Sequence, residues 1–201
     1  ITPADFYRRL RQSSAWPTTS VPSLGTFVNL YAQLSDEAQD IVSIHVAAEL
    51  SGTYQVARLA AEQAAPGRVH TIDSRTGAIA EGFVVLAAAR VAAAGGSLQD
   101  VVNAAETAKN RVGLFITMQT LEYLHRGGRI GEAAALLGSR LHIYPVLYLA
   151  EGRVKVAGAT RSRRKAMERI LAFVAERADE RLKCASVFHA DVPQEELTWM
   201  E

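Results

Sequence analysis

Apolar residues recur along this chain in two spacings, every second residue and every third or fourth, and the places where one gives way to the other divide it into elements. Phe6 and Leu10, with Ile1, share one side of a short helix over residues 1–11, which Ser13, Ser14 and Pro17 end. A hydroxyl-dense stretch over 18–23 then runs into a helix marked by Phe27, Leu30, Tyr31 and Leu34. The β-branched run over 40–47 reads as a buried strand, followed by the turn Leu50, Ser51, Gly52, Thr53 and a helix that Pro66 and Gly67 stop. A second strand over 68–72 closes at Asp73 and Ser74. An alanine-rich helix over 78–94 stops at Gly95 and Gly96. Ser97 is then an N-cap with Asp100 three residues on, and Leu98, Val101, Val102 and Ala105 form the apolar face of the helix it starts. Strand, helix, strand, helix, helix in this order predicts a parallel sheet covered by helices.

From Val112 the texture changes. The pattern predicts a strand over 113–118, a short helix over 119–124, a basic glycine turn over 126–129 and a helix over 132–137. A strand over 141–148, a turn at Glu151 and Gly152, a strand over 153–157, a helix over 163–181 and a strand over 184–189 complete the series. The class is therefore α/β, in two α/β domains, 1–111 and 112–201, that pack directly because no repeat or Pro-rich linker separates them.

Composition narrows what such a fold can do. The chain has 201 residues, 49% of them hydrophobic, enough for a substantial core. Its 22 Lys and Arg offset 21 Asp and Glu to a net charge of +1, so no overall field draws nucleic acid or an anionic membrane. A single cysteine, Cys184, allows neither an internal disulfide nor a cysteine zinc cage and suits a reducing cytoplasm. The opening residues do not read as a secretory leader. Residues 77–96 are the nearest approach to a membrane span, but Glu81 and Arg90 interrupt them, which suits a helix packed inside protein.

Candidate chemistry gathers at turns. Thr19 with Ser20, and Ser51 with Gly52 and Thr53, both lie ahead of helices. Helix N-termini at the carboxyl ends of strands offer N–H groups and a partial positive charge to a carboxylate or phosphate. Both threonine and serine also serve as ordinary N-caps. Arg129, after Gly127 and Gly128, places a guanidinium fork on a turn, suited to the same anions or to solvent. Arg161, Arg163, Arg164 and Lys165 put four cations in five positions at a helix start, either as a solvated face or as a dock for an acidic partner. There is no GxxxxGK or GxGxxG for a nucleotide, and the five histidines form no HExxH, so no cofactor and no metal is expected. Ser51 has no GxSxG setting and no histidine that the sequence assigns as its base. A serine hydrolase and a binding module for another small anion stay open as alternatives.

Taken together, TSVPS (19–23), LSGTY (50–54), IDS (72–74), LEYLHRGGRI (121–130), LHIYPVL (141–147) and RSRRKA (161–166) resemble the DegV family of bacterial fatty-acid-binding proteins, which includes the acyl-carrying subunit of fatty acid kinase. The resemblance runs through nearly the whole chain. It implies the EDD fold, a long-chain fatty acid such as palmitate or oleate in a tunnel between the two domains, and no catalytic residue in the carrier itself. It implies that Thr19, Ser20, Ser51, Gly52, Thr53 and Arg129 hold the carboxylate end. It also implies that Arg161, Arg163, Arg164 and Lys165 meet a separate ATP-dependent kinase subunit. Val21 stands where the family usually has glutamine, and Ala47 and Ala48 stand where it often has hydroxyls. The family's DSxxD and HxGPG-like segments have no counterpart within residues 1–201, so both domains are incomplete relative to it.

Overall fold

The computed structural model describes residues 1–14, 16–138, 143–177 and 184–192. The chain divides into two compact units, one made of 1–20 with 181–201 and the other of 21–180. In the first, helix α1 (Pro3–Gln12) starts on Thr2, whose Oγ1 accepts from Asp5 N, with proline at the first helical position, where its missing N–H costs nothing. Arg11 of α1 pairs with Asp191.

In the second unit, β1 (Ile41–His45) and β2 (Val69–Asp73) pair in parallel, Ile41 opposite Val69 and His45 opposite Asp73. Their side chains alternate between two helix layers, as a period of two requires. Val42, Ile44 and Ile72 pack on Val84 and Ala88 of α4 (Ala78–Ala93) and on Val101 and Ala105 of α5 (Leu98–Lys109). On the other face, Val69 packs with Phe27, Val28 and Tyr31 of α2 (Leu24–Glu37) and with Ala57, Ala60 and Ala61 of α3 (Thr53–Ala64). Three alanines on the buried side of α3 let α2 pack closely against it. Arg68, just before β2, donates to the carbonyls of Ser35, Ala38 and Gln39, satisfying groups that the end of α2 leaves without helical partners. Helix α4 buries Val84 completely, while Val85 and Leu86 are 41% and 46% exposed, so only one side of this apolar helix is packed. Among the described residues no helix is long and apolar enough to cross a membrane.

The rest of this unit carries a separate antiparallel sheet in the order β3 (Phe115–Thr117), β4 (Tyr144–Ala150), β5 (Arg153–Thr160). Leu147, Leu149 and Val154 face Leu121 and Ala133, while Val146 faces Ala166 and Ile170 of α7 (Arg163–Arg177). A register shift between Val146 and Leu147 marks a bulge in the ladder. Phe115 stacks on Phe173 with centroids 6.0 Å apart, and Arg177 lies over both rings and over Tyr148.

The mixed α/β class holds, and most elements fall where the periodicity puts them. The short ones differ. The helix expected over 119–124 is α6 (Glu122–Arg126), and the one expected over 132–137 is a 3-10 helix, Gly131–Leu136. The strand expected over 184–189 makes no ladder, and Val187 and Phe188 stand exposed. β-propensity alone does not hold a strand that gains neither pairing nor burial. Residues 141–142 and 178–181 of the predicted elements lie outside the described residues.

Candidate functional site

The carboxyl ends of β1 and β2 carry two loops that hold each other. Asp73 Oδ1 accepts from Arg75 N at 2.9 Å and from Ala48 N at 3.2 Å, so one carboxylate oxygen spans both. Ala47 N donates to Thr76 O at 2.8 Å and Ser74 N to His45 O at 3.0 Å, with Ala47 and Ser74 buried. Ala47 O in turn accepts from Leu50 N at 2.9 Å and Ser51 N at 3.1 Å. The backbone that delivers Ser51 is thus determined by its own hydrogen bonds. Arg75 adopts a left-handed φ of 54° within this arrangement, with its amide tied to Asp73.

Helix α3 begins at Thr53, and Gly52 is its N-cap residue. Ser51 therefore lies one position outside the helix. Its Oγ accepts from Thr53 N at 3.3 Å and lies 2.8 Å from Thr53 Oγ1, so the two hydroxyls form a pair at the positive end of the helix. Both residues are half-buried and Gly52 is exposed. A Cβ on Gly52 would stand 3.4 Å from Val21 Cγ2, so the segment leading into α2 borders the same turn. The cap of α2 is Ser23, whose Oγ accepts from Thr26 N at 3.1 Å. Neither Thr19 nor Ser51 is thus an N-cap. Thr19 and Ser20 belong to the terminal unit, outside any helix or strand, and are exposed.

Arg129 comes to this turn from the other sheet's half. Gly128, with φ 72°, reverses the chain after α6, and Arg129 Nε then donates to Leu50 O at 2.9 Å while Nη1 donates to Gly127 O. A permanent cation is held one residue from Ser51. Arg153 pairs with Glu49 at 3.1 Å beside it. The structure therefore brings together Ser51, Gly52, Thr53 and Arg129. An arrangement of two hydroxyls, a helix start and a guanidinium is chemically suited to an anionic oxygen pair.

The basic run sits at the start of α7. Arg161, Arg164 and Lys165 are exposed and Arg163 is half-buried. Arg164 Nε pairs with Glu168 Oε1 at 3.0 Å, and Lys165 N donates to Ser162 Oγ.

Sequence reasoning missed a second polar group beneath α2. Tyr31 OH lies 2.7 Å from Ser43 Oγ, and Ser43 Oγ lies 2.8 Å from His45 Nε2, with Phe27 edge-on to the imidazole. Burial pushes the Tyr31 pKa up and the His45 pKa down. The available signal was that Ser43 and His45, two apart on a strand, share a face. The serine that touches histidine here is Ser43, covered by the buried Tyr31, whereas Ser51 pairs with Thr53.

A family model described as "Uncharacterised protein, DegV family" matches residues 1–200. A DegV domain-containing protein of Streptomyces coelicolor is 40% identical over 177 residues, covering 88% of this chain and 63% of the relative. A DegV family protein from Thermus thermophilus, whose structure is described as showing fatty acid binding, is 40% identical with a TM-score of 0.83, over 89% of this chain and 64% of that one. DegV of Bacillus subtilis, described as a fatty acid binding protein, is 30% identical with a TM-score of 0.76, over 88% and 63%. The chain spans less than two thirds of the length of these three.

Proposed function

The chain belongs to the DegV family, and on that premise we propose that it is a non-enzymatic carrier of a long-chain fatty acid. The carboxylate is held by Ser51, Thr53, the amide of Gly52 and the guanidinium of Arg129, and the tail lies in a tunnel between the parallel-sheet half and the antiparallel-sheet half. The observation that supports this reading is the bond from Arg129 Nε to Leu50 O, the carbonyl just before Ser51, whose hydroxyl pairs with that of Thr53.

The division of labour follows from magnitudes. At about 0.8 kcal/mol per buried methylene, a tail of about fourteen contributes on the order of 11 kcal/mol before ordering costs. The tail dominates affinity; the head group sets which way the acid points. Orientation matters because a separate ATP-dependent kinase subunit has to reach the carboxylate to form an acyl phosphate. The basic run Arg161, Arg163, Arg164, Lys165 is the surface we assign to that partner.

Mass spectrometry of lipid extracted from the native protein should recover a fatty acid such as palmitate or oleate. A protein free of fatty acid that also fails to bind added oleate refutes the carrier reading. Ser51→Ala removes a hydroxyl from a carboxylate and should weaken oleate binding about tenfold. Reversing Arg161 and Arg164 to glutamate should lower kinase-dependent acyl phosphate formation and leave oleate affinity unchanged; undiminished turnover returns that run to a solvated face.

A further inference from the structure

Four residues, 47–50, deliver Ser51 to its place, and they are gripped from both sheets. From the parallel side come Thr76 O and Asp73 Oδ1. From the antiparallel side come Arg129 on Leu50 O, Arg153 on Glu49, and the tip of the β4–β5 hairpin. That tip is a two-residue turn, Glu151 and Gly152, with φ of 51° and 77°, both left-handed as a tight hairpin demands. Gly152 is buried, and a Cβ built on it would stand 3.0 Å from Ala47 Cβ and 3.3 Å from Glu49 Cβ. The contact falls inside the protein, on a residue that is 0% exposed and whose amide is bonded to Thr76 O, so a side chain at 152 presses on the backbone that leads to Ser51.

We propose that Gly152 is a positioning residue for the Ser51 clasp. Its missing side chain sets how closely the hairpin approaches Ala47, and through the Ser51 N to Ala47 O bond it sets where the Ser51 hydroxyl stands. A methyl group at 152 moves residues 47–50, and Ser51 moves with them. The identification of the bound group as a carboxylate rests on the fatty-acid reading above; the mechanical coupling of 152 to 51 does not.

The experiment separates contact from backbone strain. Gly67 has φ 76°, close to that of Gly152, with nothing within 4 Å of the Cβ it would carry, so Gly67→Ala reproduces the strain without the collision. Dissociation constants for oleate and for methyl oleate, which lacks the carboxylate, are measured on the unaltered chain and on three variants: Gly152→Ala, Gly67→Ala and the double variant Ala47→Gly/Gly152→Ala. Gly152→Ala should weaken oleate about tenfold and leave methyl oleate within about twofold, a loss confined to the head group. Gly67→Ala should change neither, and the double variant should regain most of the oleate affinity. Equal weakening of both ligands, unchanged oleate binding, or no recovery in the double variant overturns the proposal. Absence of oleate binding by the unaltered chain instead strikes at the carrier reading. In that event the Ser51 amide resonance decides: it shifts in Gly152→Ala, not in Gly67→Ala, and returns in the double variant, and a Ser51 signal unmoved by Gly152→Ala refutes the coupling.

Discussion

Tyr31, Ser43 and His45 show how much a strand face can hide from a residue-by-residue reading. The imidazole is held neutral because burial penalises its charged form. The sign follows from linkage. Below the ordinary histidine pKa of 6.5 the unfolded chain binds a proton that the folded chain refuses until lower pH, so stability falls on acidification through that window. Melting temperatures between pH 7.5 and 5 should therefore drop more steeply for the unaltered chain than for His45→Gln. Identical slopes would show that His45 titrates as freely folded as unfolded. Tyr31→Phe, which leaves the Ser43–His45 bond in place, should cost about 1 kcal/mol in chemical denaturation. Of the head-group candidates, Ser51, Thr53 and Arg129 were legible as residue types at turns. Their assembly was legible only through the family resemblance, because a guanidinium bonded to a carbonyl 79 residues away leaves no local pattern.

At the scale of elements, the helix starts that could be read were those written in side chains. Ser97 and Asp100 form the expected reciprocal box: Ser97 Oγ accepts from Asp100 N, and Asp100 Oδ2 accepts from Ser97 N at 3.0 Å. The Ser97 hydroxyl, followed by its amide, holds the Asp100 carboxyl below its usual range. Ser97→Ala should destabilise the fold by about 1 kcal/mol on denaturant titration. It should also let the Asp100 pKa rise toward the ordinary carboxylate value, read by carboxyl NMR; an unmoved Asp100 would mean the box is not formed in solution. Elements without such signatures were placed less well. Gly131–Leu136 winds as a 3-10 helix, and residues 184–189 carry strand-like composition without a ladder. In both, the outcome depends on what lies alongside, which a local window does not contain.

For the molecule as a whole, the class and the parallel pairing of β1 with β2 were readable from the order of elements, whereas the antiparallel character of β3, β4 and β5 and the links between the two sheets were not. The links are long-range: Arg153 meets Glu49 across 104 residues, and Gly152 abuts Ala47. A ligand that binds only the folded chain stabilises it by mass action, about 2.7 kcal/mol when present at a hundredfold its dissociation constant. Saturating oleate should thus raise the melting temperature, and the rise at that same concentration should shrink in Ser51→Ala. An unchanged rise would place the acid group elsewhere.

The bond between Arg129 and Leu50 bears on the order in which the molecule is made. Synthesis delivers Ser51 and its helix long before Arg129 leaves the ribosome, and β1, α3 and β2 form a local strand–helix–strand unit. Joining Leu50 to Arg129 closes a long loop, whose entropy must be met before the contact returns anything. The proposed anion clasp is therefore expected to be among the last features to mature, and a nascent chain carries its serine well before the arginine and the hairpin that complete the site.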